Sequence, residues 1–232
     1  MSVMVILPTY NETGNILPLM EDLLALRQDL CIVVIDDDSP DGTHRIVREK
    51  MKTTDCVFLI HRTGERGRGS AGVAGFKFSL EKKADLVVEM DADFSHHPRF
   101  LPSLLDAAER ADVVIGSRLV KGGSETGRSF LRTLITYAAN FYIRMILGLS
   151  IRDCTSGYRV FRRQVLESID LDTLTSNGPA IVQEVLFRCK RKNFKMIEVP
   201  IIFEERRSGR STFNAKILFS GLWAVLKFRF KD

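Results

Sequence analysis

Five short apolar runs, at residues 4–7, 31–35, 57–60, 86–90 and 113–115, punctuate the first half of this chain. They are rich in Val and Ile, continuous rather than alternating, and too short for helices. Those properties predict strands buried on both faces, the condition of a parallel sheet covered by helices. Between them, residues 14–28, 41–51, 71–82 and 98–110 have helical length. Asp41 and Ser70 are candidate N-caps, and Pro98 suits a first helical turn. Strand, helix and strand at this spacing predict an α/β fold with right-handed crossovers.

The rhythm is lost in the second half. Residues 129–147 and 180–192 read as helices, and 197–203 as a strand that Pro200 places at a sheet edge or at its own start. Residues 214–230 close the pattern with a further helix. No repeat or linker interrupts the 232 residues. The expectation is one domain over 1–232, with a ligand-binding part over about 1–118 and an elaborated second part over about 119–232.

Charge and cysteine usage narrow the chemistry. Lys and Arg number 34 against 29 Asp and Glu, a mildly basic balance that fits an anionic partner without specifying it. Cys31, Cys56, Cys154 and Cys189 form no CxxC pair, so they read as buried reduced thiols rather than metal ligands or a redox pair. The N-terminus lacks a basic region followed by an apolar core, and Lys216, Lys227 and Arg229 interrupt the last hydrophobic stretch. A cytosolic chain that spans no bilayer is expected.

Parallel sheets bind ligands beyond the carboxyl ends of their strands. Here the first strand runs into Pro8-Thr9-Tyr10-Asn11-Glu12 and the second into Asp36-Asp37-Asp38-Ser39-Pro40-Asp41-Gly42. The fourth runs into Asp91-Ala92-Asp93 and the fifth into Gly116-Ser117-Arg118. No glycine-rich turn follows the first strand, and Gly64 to Gly75 do not spell a P-loop, which excludes nicotinamide-dinucleotide and P-loop chemistry. Asp91 and Asp93 stand two apart on extended backbone, so both carboxylates project to one side. A solvated acidic turn is the alternative for an isolated pair, but here other acidic strand ends share the face. Hard divalent cations favour such oxygens and commonly complete their shell with phosphates. The neighbouring His96 and His97 diverge, and a loop or capping role suits them better than ligation.

These ordered segments, continued by Asp153-Cys154-Thr155-Ser156-Gly157-Tyr158-Arg159 and Glu198-Val199-Pro200-Ile201, resemble the inverting family 2 glycosyltransferases. More narrowly, the chain is similar to the dolichol-phosphate (polyprenol-phosphate) mannose synthases over nearly its whole length. The resemblance implies a GT-A fold, a mostly parallel Rossmann-like sheet flanked by helices with amphipathic C-terminal helices. It implies transfer of mannose from GDP-mannose to dolichyl or polyprenyl phosphate with a Mg²⁺ or Mn²⁺ cofactor. A relative using UDP-glucose or another nucleotide sugar, or a catalytically silent nucleotide-binding scaffold, are the alternatives.

Residue by residue, the resemblance places Pro8, Tyr10, Glu12 and Asp37 against the nucleotide, and Asp91 and Asp93 at the nucleotide and metal. Ser95 stands where some relatives carry a Gln metal contact, so its contact would pass through water. Arg118, Arg132 and Arg206 match positions that hold the acceptor phosphate and diphosphate. Arg210 and Ser211 belong to a further phosphate loop in which Thr212 replaces the usual lysine. Asp93, Arg118 and Glu184 are the expected catalytic group, Glu184 orienting sugar or acceptor rather than acting as base. No nucleic-acid partner is expected.

A lipid acceptor requires membrane access. Phe219, Leu222, Trp223 and Leu226 recur at spacings of three and four, flanked by Lys216, Lys227, Arg229 and Lys231. This is the pattern of a helix lying in the headgroup plane of anionic lipid. The helix carrying Phe130, Leu131, Leu134, Tyr137, Phe141, Tyr142, Met145 and Leu147 reads first as core and second as another membrane face. The resemblance further implies a peripheral protein on the cytoplasmic side of a membrane (endoplasmic reticulum or plasma membrane, by cell type), with small membrane-anchoring subunits as candidate partners.

Overall fold

A computed structural model describes residues 1–64, 66–176, 178–205 and 215–230, the side chains of 215–219 excepted. Its first half alternates β1 (Val3–Thr9), α1 (Ile16–Leu26), β2 (Leu30–Asp36), α2 (Thr43–Met51), β3 (Val57–His61), α3 (Arg68–Glu81) and β4 (Leu86–Glu89). A 3₁₀ turn at Pro98–Phe100 then leads into α4 (Leu101–Ala107) and β5 (Val113–Ser117). All five expected strands are present. Their side chains alternate between two cores: Val3, Val5 and Leu7 face α1, α2 and α4, whereas Met4 and Ile6 face α3 and the later helices. Burial on both faces is why these runs carry no polar alternation.

The second half holds β6 (Ser124–Glu125), α5 (Phe130–Leu147), β7 (Arg159–Arg162), α6 (Arg163–Ser168), α7 (Ile181–Arg191), β8 (Met196–Pro200), β9 (Ile202–Phe203) and α8 (Ala215–Phe230). The main sheet runs β3-β2-β1-β4-β7-β5-β8. Every pairing is parallel except those of β7, which lies antiparallel between β4 and β5. The strand expected over 197–203 divides in two. β8 pairs with β5 at the sheet edge, consistent with Pro200, and β9 pairs with β6 in a separate two-stranded ribbon.

Two cap expectations change. Ser70 lies inside α3, which begins at Arg68 behind Gly67. Gly42, in the left-handed region at φ 88°, is the N-cap of α2, and Asp41 acts from one residue earlier by accepting the Thr43 amide at 2.9 Å. Cys154 and Cys189 are buried free thiols, their pKa values pushed up to about 12 by burial. Cys31 and Cys56 are only partly covered.

Candidate active site at the carboxyl ends of the strands

β1, β2, β4 and β5 deliver their carboxyl ends to one edge of the sheet. At the β1–β2 end, Pro8 pairs with Ile35 and turns the chain toward exposed Tyr10. The Arg66 guanidinium lies 5.0 Å from the Tyr10 ring centre and donates to its hydroxyl at 3.3 Å. Asp37 is buried. Its Oδ1 accepts from Arg62 Nε at 2.8 Å and Nη2 at 2.5 Å, and its Oδ2 accepts the Gly67 amide at 2.8 Å. The Glu12 carboxylate accepts from Asn15 at 2.7 Å while its amide donates to Thr43 Oγ1 at 2.9 Å. Neighbouring Asp36 is a structural acid that accepts from Thr9 and Ser39. It also approaches His44 and His61 closely enough for their donor atoms to lie within 4.8 Å of one another. His61 is already engaged by Asp38 and Arg48, so this trio is read as packing.

Beyond β4, Asp91 and Asp93 open on one cavity of about 1380 Å³. Asp93 is buried, and its Oδ1 accepts both the amide and the hydroxyl of Ser95, at 3.0 and 2.6 Å. Ser95 thus orients Asp93 and lines the same cavity. Asp91 keeps 37% of its side chain exposed. His96 Nδ1 accepts the Asp91 amide at 3.1 Å, and burial pushes this imidazole below its usual pKa, so the ring is a neutral loop support. His97 accepts the Arg99 amide and caps the 3₁₀ turn, as expected for this pair. The convergent donors are carboxylate oxygens, a set that fits a hard divalent cation.

Four arginines line the same cavity, Arg68 beside Asp91 and then Arg118, Arg128 and Arg132. Arg118 is buried and clasped by Asp153, with Nε to Oδ2 and Nη2 to Oδ1 both at 2.7 Å, and it also reaches Thr155 Oγ1 at 2.6 Å and Glu125 Oε1 at 3.1 Å. Burial works against the Asp153 charge, but the Arg118 guanidinium outweighs it and holds the carboxyl below the ordinary range. Arg128, absent from the sequence expectation, shares Glu125 and lies 4.7 Å from the Phe203 ring centre. Burial lowers its pKa, and the nearby Arg118 and Arg132 lower it further. Arg132 is half-exposed on α5, 3.9 Å from Glu205.

The apolar part of the lining comes from Ile135, Ala139 and Ile143 of α5 with Leu222, Val225 and Phe228 of α8. Glu184, on α7, is not part of the lining. Its buried carboxylate accepts the Thr175 amide at 3.0 Å and the Ser176 amide at 3.0 Å, fixing a loop that itself lines the cavity. Pro8, Tyr10, Glu12 and Asp37 lie along the strand ends outside the cavity lining. Arg206, Arg210 and Ser211 lie outside the described residues. Sequence reasoning also missed Arg68, whose signal was its position in the glycine-rich run after β3.

The glycosyl transferase family 2 model matches residues 4–170, most of the region that builds these strand ends. The chain belongs to that family. Among curated relatives, the undecaprenyl-phosphate mannosyltransferase of Micrococcus luteus is 40% identical over 94% of this chain and 90% of its own. The polyprenol monophosphomannose synthase of Mycolicibacterium smegmatis is 39% identical over 96% and 84%. Solved structures agree on the fold. Glucosyl-3-phosphoglycerate synthase from Mycobacterium tuberculosis superposes with a TM-score of 0.73 at 18% identity, covering 98% of this chain and 79% of that one. A mannosyltransferase from Pyrobaculum calidifontis, solved with GDP-Man and Mn²⁺, gives 0.60 at 18% identity over 97% and 69%. This family 2 transferase therefore has the α/β architecture of the GT-A glycosyltransferases.

The helix faces depart from the sequence expectation. On α5, Phe130 is 84% exposed, Phe141 66% and Met145 68%, and Leu131, Leu134 and Tyr137 also point outward. Only Tyr142 and Leu147 of the named set pack inward, so this helix presents an apolar outer stripe instead of core. On α8, Val225 is buried and Leu222 and Leu226 are half-buried, because the helix packs on α5 and α7; Trp223 remains exposed. The side chains of Lys216 and Phe219 and all of Lys231 lie outside the described set. Among the described residues, no helix is long and apolar enough to cross a membrane.

Proposed function

We propose that this chain transfers mannose from GDP-mannose to a polyprenyl phosphate with inversion, as one catalytic domain. The observation that carries the reading is the composition of the cavity. Its lining combines the acid pair, four arginines and apolar side chains of α5 and α8. That set of surfaces suits a nucleoside diphosphate, an anionic head and a hydrocarbon chain. The relatives named for polyprenyl-phosphate mannosyl transfer support the acceptor and the sugar.

The chemistry follows from charge. A phosphate monoester has its second pKa at about 6, so the acceptor oxygen is already anionic near neutral pH. No strong protein base is needed. The site must instead bring two anions together, and guanidinium forks suit phosphate without deprotonating. Arg128 and Arg132 face the cavity as acceptor-side cations, and Arg118, braced by Asp153, adds a further fixed charge to the same lining. Asp91 and Asp93 would hold Mg²⁺ or Mn²⁺, which when bound neutralises the diphosphate leaving group as a Lewis acid. Tyr10 and Asp37, with Pro8 and Glu12 beside them, form the nucleotide end. Glu184 acts through the 175–176 loop rather than on substrate.

The outward stripe of α5, joined by Trp223, serves as the membrane-docking face. It lies on the helix whose other side lines the cavity, so docking would open the cavity toward lipid. The deciding experiment is a transfer assay with radiolabelled GDP-mannose, UDP-glucose and UDP-N-acetylglucosamine, with and without polyprenyl phosphate. Label entering the lipid from GDP-mannose alone is the expected result. Transfer from a uridine donor, or no turnover with nucleotide still bound, overturns it.

A further inference from the structure

Arg68, the first residue of α3, joins two acids that stand two apart on the chain. Its Nη1 donates to Glu89 Oε1 at 2.9 Å, and its Nη2 and Nε donate to Asp91 Oδ1 at 2.9 and 3.3 Å. Glu89 is buried at the end of β4, and Asp91 opens on the cavity. Glycines make the room for this bridge. A Cβ on Gly157 would lie 2.7 Å from Arg68 Nη2 and 3.4 Å from Asp91 Oδ1, and one on Gly72 would lie 3.3 Å from Glu89 Oε1. A guanidinium does not deprotonate in a protein, so Arg68 sets a full positive charge between the two acids.

Glu89 ends β4, Asp91 follows two residues on, and Asp93 stands in the bend just beyond. Three carboxylates there would attract any divalent cation in solution. With Arg68 present the local balance falls by one charge, and an oxygen of Asp91 already has a strong donor. A nucleoside diphosphate changes the comparison, because its negative charge is attracted by both the cation and the guanidinium. We propose that Arg68 is a positioning residue that sets the order of loading: it holds Asp91 against Glu89 and disfavours a bare divalent cation, so that cation and nucleoside diphosphate enter together. This rests on reading Asp91 and Asp93 as the cation and diphosphate site.

The test is Mn²⁺ binding followed by electron paramagnetic resonance, on the full chain, without and with GDP. In the wild type, GDP should tighten Mn²⁺ binding at least tenfold. Arg68→Gln should tighten bare Mn²⁺ by about tenfold, the Coulomb effect of one charge a few Å from a divalent ion even at water's dielectric. The same variant should weaken GDP binding in saturating Mn²⁺. Arg68→Lys, which keeps the charge, should stay within threefold of wild type for bare Mn²⁺. A purely structural role would weaken both affinities together. Equal or weaker bare Mn²⁺ binding in Arg68→Gln overturns the proposal, as does a wild type that binds Mn²⁺ equally well without GDP, which needs no variant to fold. Asp93→Ala separates the premises: if it binds Mn²⁺ and GDP like wild type, the site itself is misassigned, whatever Arg68 does.

Discussion

Removing the Asp153 carboxylate tests whether Arg118 is a braced cation or a free phosphate ligand. Asp153 is fully buried and accepts three hydrogen bonds from Arg118, at 3.0 Å from the amide and 2.7 Å from both Nε and Nη2. Breaking a buried ion pair from one side typically costs about 3–5 kcal/mol, because the remaining charge stays buried without its partner. Here Glu125 still reaches Nη1 at 3.1 Å, so Asp153→Ala should fall at the low end, about 3 kcal/mol. In urea, with a slope of about 3 kcal/mol/M for a chain of this size, the unfolding midpoint drops by about 1 M. Arg118→Met alone leaves Asp153 buried with only Thr155 to donate to it from the side chains described, and should cost a similar amount. The double variant removes both charges and should cost clearly less than the sum, with a coupling of about 1.5 kcal/mol or more. A midpoint shift below about 0.3 M, or single effects that simply add, would refute the brace. Arg118 would then be available to bind phosphate on its own.

Asp93→Ala should abolish transfer and weaken nucleotide binding by calorimetry only in metal-containing buffer; full activity after exhaustive chelation would remove the cation from the reaction. Leu134→Asp with Phe141→Asp places charges on the outer face of α5, clear of the cavity lining, and should reduce co-sedimentation with anionic vesicles at least tenfold. That figure follows from about 1–2 kcal/mol for each half-to-two-thirds exposed side chain that lipid would cover. Equal pelleting of variant and wild type would assign docking to another surface. The depressed Asp153 pKa adds stability that is complete above the ordinary carboxylate value of about 4 and is lost as pH falls through the lower folded value. The urea midpoint of Asp153→Asn should therefore fall less steeply below about pH 4 than that of the wild type, and parallel profiles would exclude the linkage.

The strands were legible because each is covered twice, and double burial writes itself into sequence as an unbroken β-branched run. Asp91 and Asp93 were legible as a pair of acids just past a strand end, although it is a bend over 92–95 and not extended backbone that carries Asp93 to the same cavity. β7 was not legible. Its Arg159 is wholly buried, yet it satisfies its guanidinium by donating to the carbonyls of Ser156, Val182 and Cys154. Burial lowers its pKa to about 10, still a cation at neutral pH, and a strand that begins and ends in arginine looks like surface. Arg118 illustrates the same limit from the other side. A basic residue at a strand end suggests a ligand for phosphate, and only the fold reveals that Asp153, 35 positions later, already grips it.

The two amphipathic helices show what a local pattern cannot decide. α5 and α8 each carry aromatic and aliphatic residues at helical spacing, and each had one stripe to cover. In three dimensions α8 is laid against both α5 and α7, so Val225 is consumed by packing and Tyr142 donates from α5 to the Leu222 carbonyl at 3.2 Å. α5 has the cavity on one side and no described element over Phe130, Phe141 and Met145 on the other. Both helices therefore keep an exposed apolar side, Trp223 and Phe230 on α8 and the Phe130, Phe141 and Met145 stripe on the helix that read first as core. The consequence is functional: an apolar outer face on α5 lies one helix thickness, about 10 Å, from the cavity wall formed by Ile135, Ala139 and Ile143. A hydrocarbon chain drawn from a bilayer beneath that face would have to travel only around a single helix to meet the arginines. The mixed wall of the cavity and the unpartnered stripe outside it are therefore two sides of one element, and a substitution on either side of α5 should separate docking from turnover.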